Sequence, residues 1–239
     1  MTSSLVGSEM CIRDRHHMTF TFLITAVVLI ILLIIPQIMK RVVYKKLTGY
    51  LSERDYERFE KLLDGFACTF SFKPYNREYM RLNSYFMQGD KRKIEAQLDT
   101  IFSKMKMRDQ QKAAAARQGF YFYMENQKFK KAESMLHICR KADKNTAELH
   151  TMEMMYSILA LKKSEYIEEI RERLEPMKKM PDAFTNDAKR VRIGIFEYLL
   201  GLQYTYLCNK KLSKTYLTSA LKNCRNTPYE YEIKKLLKA

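Results

Sequence analysis

Apolar residues along this chain fall into two regimes. From 20 to 39 they run without a single charge and are mostly Leu, Ile, Val and Phe. From 51 onward they recur in groups broken by polar and charged residues, at the spacing that makes one face of a helix apolar. About twenty helical residues rise roughly 30 Å, the thickness of a bilayer's hydrocarbon core, so the first regime predicts an uncleaved transmembrane helix over 18–39. Pro36 is placed to kink or end it. Lys40, Arg41, Lys45 and Lys46 follow directly and predict a membrane-interface cluster within a basic juxtamembrane linker over 40–50. No small residues precede Lys40 to form a signal-peptide cleavage site.

Residues 5–15 read LVGSEMCIRDR and have no periodicity of their own. The string resembles the conceptual translation of a sequencing-library transposon adapter, so 1–17 is read as a non-native leader with Met18 as the expected start. Setting it aside leaves positive charge on the Lys40 side alone. The expected localisation is then the cell membrane, single-pass, with the C-terminal domain cytoplasmic.

The second regime carries an apolar triplet at i, i+4 and i+7. It appears as Phe59-Leu63-Phe66, Ile94-Leu98-Ile101, Ala132-Leu136-Cys139, Ile170-Leu174-Met177 and Leu217-Leu221-Cys224, with first members 35, 38, 38 and 47 residues apart. Near-constant spacing predicts stacked helical hairpins whose stripes need neighbours to cover them. Partner helices are expected near 75–87, 110–125, 146–161 and 184–207. The joining turns are Gln88-Gly89-Asp90, Asn126-Gln127-Lys128, Lys162-Lys163-Ser164 and Asn209-Lys210-Lys211. Ser52-x-x-Asp55 reads as an acidic variant of the capping box, opening the first helix. Pro74, Pro181 and Pro228 fall between units, and 228–239 is expected as a short, charged capping helix.

Within 119–144, Tyr123 closes a first helix, Asn126-Gln127-Lys128 turns, Phe129-x-x-Ala132 opens a second, and Leu136 and the small Cys139 follow. Gly89-Asp90, with Tyr85 before and Ile94 after, echoes that order. The pattern resembles a tetratricopeptide repeat (TPR), although the motif's early aromatic is missing and most spacings exceed its period. Over 51–227 the resemblance implies a right-handed superhelix with a concave groove and a binding role. The expected fold class is all-α: one N-terminal transmembrane helix, then an α-solenoid of about five TPR-like helical hairpins.

Composition agrees with helices, since 239 residues hold no Trp, seven Gly and five Pro. Beyond the leader, Cys68, Cys139, Cys208 and Cys224 are scattered, as reduced thiols would be. His137-Ile138-Cys139 suggests a metal pair, but Cys139 belongs to a core triplet and no clustered ligands accompany it. No phosphate-cradling glycine motif and no local catalytic signature is present. Neither metal, cofactor, catalytic residue nor enzyme activity is expected.

A net charge of +16 is spread along the whole chain. It suits an acidic protein segment, or the anionic inner leaflet beside the expected anchor. A membrane-tethered nucleic-acid binder using a diffuse basic surface is the alternative. Phe120-Tyr121-Phe122-Tyr123, Tyr198, Tyr204 and Tyr206 concentrate aromatics on expected first helices, where they either line a groove or pack between repeats. Phe120 and Tyr123 are assigned to packing; Tyr121, with Arg117 and Met124, is the candidate partner-binding groove. The function expected is a membrane-anchored cytoplasmic scaffold that holds a peptide or helix of another protein.

Overall fold

The computed structural model describes residues 34–142 and 146–238, and every regular element among them is a helix. The expectation of an all-α chain is met for these residues. They form two compact units that divide between Lys106 and Met107, within a stretch, 105–108, that carries no helix.

The first unit contains α1 (34–52), α2 (Tyr56–Asp64), α3 (Phe66–Ser71), α4 (Pro74–Gln88) and α5 (Lys91–Lys104). Pro74 opens α4, where its missing N–H and fixed φ are suited to a helix start. Asp90 caps α5 by accepting the backbone N–H groups of Arg92 and Lys93, both at 3.1 Å. Asp55, and not Ser52, caps α2: its carboxylate accepts the Arg58 N–H at 3.0 Å, while the Ser52 hydroxyl donates back to the Thr48 carbonyl. Val43 and Leu47 of α1 bury against Phe59, Leu63, Cys68 and Phe72.

The expected transmembrane helix is corrected by this arrangement. No helix among the described residues is long and apolar enough to cross a membrane. α1 takes up the end of the apolar run at Ile34, but Lys40, Arg41, Lys45 and Lys46 interrupt it and share its exposed surface with Ile34, Ile35, Ile38, Val42 and Tyr44. Its apolar residues Val43 and Leu47 turn inward to the protein core. Residues 18–33 of the expected span lie outside the described residues. The single-pass membrane localisation with a cytoplasmic domain rested on that span and is corrected with it.

Phe66 also departs from its expected place. It is 81% exposed and stacks on Phe70, with ring centroids 6.1 Å apart. Gly65 adopts extended backbone (φ −68, ψ 157) and ends α2 first, so the third stripe position falls on another helix.

The second unit contains α6 (Asp109–Glu125), α7 (Phe129–Ala142), α8 (Ala147–Leu159), α9 (Ile167–Lys178), α10 (Asp187–Tyr206), α11 (Lys210–Asn223) and α12 (Tyr229–Lys238). α6 packs on α7, α10 on α11, and α8 and α9 each on α10. α9 also meets α8 through side chains, with His150 Nε2 2.7 Å from Glu169 Oε1.

Three hairpins across the chain share one turn. In each, a tyrosine carbonyl near the end of the first helix accepts an N–H five residues on: Tyr85 from Asp90 (3.3 Å), Tyr123 from Lys128 (2.8 Å) and Tyr204 from Asn209 (2.9 Å). Inside that bond Gly89, Gln127 and Cys208 take left-handed φ of 68°, 57° and 57° and donate to Phe86, Met124 and Thr205. This is the double-bonded helix ending that satisfies otherwise orphaned carbonyls. Nine residues after each tyrosine the second helix buries Ile94, Ala132 or Ser213, then Leu98, Leu136 or Leu217, then Ile101, Cys139 or Ala220.

The last stripe therefore starts at Ser213, four residues before the expected Leu217. Ser213 buries as a polar residue because its hydroxyl is 2.7 Å from that of Thr205. Leu221 is left only half-buried. The α8–α9 connection, 160–166, is longer and turns differently, with Lys163 donating to the Ser157 carbonyl.

Candidate functional site

α10 occupies the middle of the second unit. From Ile193 to Tyr204 every residue except Ile195 is buried, which requires neighbours on nearly all sides. Its two buried polar side chains there, Glu197 and Gln203, have partners. Glu197, 1% exposed, receives Lys178 Nζ at 2.7 Å and the Ser219 hydroxyl and Asn223 amide, both at 2.8 Å. Gln203 accepts the Tyr166 N–H at 2.9 Å, and the Tyr206 hydroxyl donates to the Ile158 carbonyl at 3.0 Å. Buried polar groups so paired hold helices in register.

A cavity of about 370 Å³ opens where the C-terminal ends of α6, α8 and α10 converge under α12. Met124, Phe129, Leu159, Leu202 and Tyr206 form apolar and aromatic walls. Glu125, Gln127 and Lys162 bring polar groups to it, and Tyr229, Glu232 and Leu236 of α12 close the remaining side. Lys162 is exposed and left-handed, φ 55°. Tyr198 meets Tyr229 across the cavity edge, ring centroids 5.6 Å apart. Burial pushes the Tyr229 phenol up to about 12, with the nearby Glu125 carboxylate adding to the effect. Tyr198 is raised for the same reason, burial first and Glu232 next.

Of the three groove candidates, Met124 alone lines this cavity; it is 5% exposed. Arg117 pairs with Glu148 at 2.7 Å, tying α6 to α8. Tyr121 lies at the surface with its ring edge-on to Phe120, and burial, then Glu148, raises its phenol. Phe120 and Tyr123 are fully packed, in keeping with their assignment. Of the later tyrosines, Tyr198 and Tyr206 reach the cavity, whereas Tyr204 stacks on Tyr216 in the α10–α11 seam with 9° between the rings.

Phe129, Leu159, Lys162 and the α12 residues were not legible as site residues. The one local signal was the apolar order Tyr229, Ile233, Leu236 in a segment read as a cap. His137 is exposed, His150 faces Glu169, and among the described residues no group of three or more His, Cys, Asp or Glu could hold a metal ion. No protein-family model, curated protein or solved structure matches this chain.

Proposed function

We propose that the second unit is a protein-interaction module of TPR-like hairpins, holding a helical or peptide segment of another protein against the converging ends of α6, α8 and α10. The cavity carries this reading. Its walls are apolar and aromatic with a few polar groups at the margin, the make-up of a pocket that anchors a side chain of a partner. The shared turn at Tyr85, Tyr123 and Tyr204 supports the repeated-hairpin part of the proposal. The basic excess of the chain favours an acidic partner segment, which Lys162 could meet at a margin it shares with Glu125 and Glu232.

Display panning of helical peptides on the full-length protein, with nuclease present, tests the proposal. A shared consensus is expected, with affinity falling about tenfold or more on Leu159→Glu, a half-exposed cavity position. Lys162→Glu is expected to weaken acidic peptides selectively. Absence of any consensus, or retention of mainly nucleic acid with affinity collapsing as salt rises, would overturn it.

A further inference from the structure

α12 already lies along one side of the groove. Tyr229 packs on Tyr198, Ile233 joins the core around α10, and Glu232 accepts a bond at 3.1 Å from the side chain of Gln127 in the α6–α7 turn. Tyr229, Ile233 and Leu236 stand at i, i+4 and i+7, so the helix presents one narrow apolar stripe. That is a shape an unrelated helix could copy.

α12 is held by one fully buried residue, Ile233, and by the partly buried Tyr229, Leu236 and Leu237. It has ten residues, and a helix of that length is marginal without its packing. It is joined through 224–228, where Asn226 takes a left-handed φ of 60°. Tyr231 on its outer side is 73% exposed. The cavity beside it shows that its side chains leave the groove incompletely filled.

We infer that α12 is a resident, displaceable occupant of the groove, standing where an amphipathic helix of a partner protein docks. The partner helix repeats its order: an aromatic, an aliphatic four residues on, a leucine three further, and an acid at the position of Glu232. This rests on the binding role proposed above and adds the partner's chemistry and a closed state. A groove filled by α12 binds its partner more weakly, in proportion to the fraction of molecules in which α12 is out.

The probe is a fluorescent synthetic peptide of residues 226–239, titrated into the full-length protein and its Tyr229→Ala and Ile233→Asp variants. Both variants loosen the resident helix and are expected to bind the peptide about tenfold or more tightly than the parent. A scrambled peptide should not bind. In the parent, α12 amides should exchange hydrogen well before those of α10 and α11. Equal affinity in parent and variants, or α12 amides as protected as those of α10, overturns the inference. Circular dichroism identifies a variant that unfolds; the other variant and the exchange data then decide. If α12 opens and its peptide binds but display finds no foreign sequence, the proposed binding role fails and takes the partner helix with it, leaving only the displaceable α12. If foreign peptides bind while α12 stays protected, this inference alone fails.

Discussion

Gly201 of α10 lies so close to Leu217 of α11 that a methyl group on its Cα would fall 2.7 Å from the leucine's Cγ and Cδ2. Seven residues earlier, a Cβ on Gly194 would fall 2.8 Å from that of Asn223 and 3.1 Å from its backbone carbon. Two bare positions two turns apart let the helices approach to near backbone contact. Alanine at either should destabilise the second unit by about 1–3 kcal/mol, against the roughly 1 kcal/mol that alanine gains by helix propensity. Gly194→Ala should be the worse, because its Cβ would also fall 2.5 Å from Cys224 Sγ and would meet backbone at 3.1 Å, against 3.3 Å to the Leu217 nitrogen at Gly201. Denaturant midpoints read both effects; a stabilised Gly194→Ala would show slack in the seam.

Glu197 ties three elements with one carboxylate. Glu197→Ala leaves the Asn223 amide, 8% exposed, without its acceptor, while Lys178 can return to water. A loss of about 1–3 kcal/mol is expected. Glu197→Gln should recover part of it, since its one amide oxygen still accepts from the Asn223 amide while its NH2 donates to the Ser219 hydroxyl, which turns to accept. Equal losses for both variants would show that charge, and not hydrogen bonding, matters there.

Arg81 in the first unit makes ion pairs with Glu60 and Asp64 of α2, each at 2.6 Å, and with Glu78 at 3.3 Å. Burial raises the Glu60 carboxyl, and Arg81 is the main force lowering it again. A carboxyl raised on folding favours the native state below its unfolded value and loses that contribution as pH rises through its folded value. Removing Arg81 raises it further. Arg81→Ala should therefore be destabilised by about 1–3 kcal/mol near neutrality, with a smaller deficit in acid. Denaturation at both pH values checks it; a deficit independent of pH would point to lost packing alone.

The Tyr229 phenol, held at about 12 against an ordinary 10, sets an alkaline limit. Between those values the unfolded chain has lost a proton that the folded chain keeps, so stability should fall as pH rises from about 10 to 12. Tyr229→Phe should flatten part of that fall. An unchanged alkaline profile would mean that Tyr229 ionises as freely in the folded protein as in water.

Where local pattern and core packing coincide, the sequence was readable. Leu98 and Leu136 stand on the expected stripes, and the turns at Gly89 and Gln127 fall where they were placed. Ser213 escaped because a search for apolar positions passes over a hydroxyl, and its partner Thr205 lies on another helix. Phe66 misled because Gly65 ended the helix before the stripe was complete. The contact of Tyr198 with Tyr229 spans 31 positions, and no helical period reports a contact across that distance. The cavity was invisible for the same reason: the ends of α6, α7, α8 and α10, the α6–α7 and α8–α9 connections and α12 meet there. The uncharged run suggested an anchor because hydropathy reports length and polarity alone, whereas the helix that takes up its end soon meets Lys40 and Arg41 and packs into the protein through Val43 and Leu47.

An array of hairpins can lengthen by duplication, because each added pair meets only its neighbour. α10 is enclosed by α8, α9 and α11, and Tyr229 of α12 lies against its Tyr198. A hairpin copied in after α11 would find that ground held by α12. A helix inserted after α11 would thus have to part Tyr229 from Tyr198 before it could pack against α10 on that side.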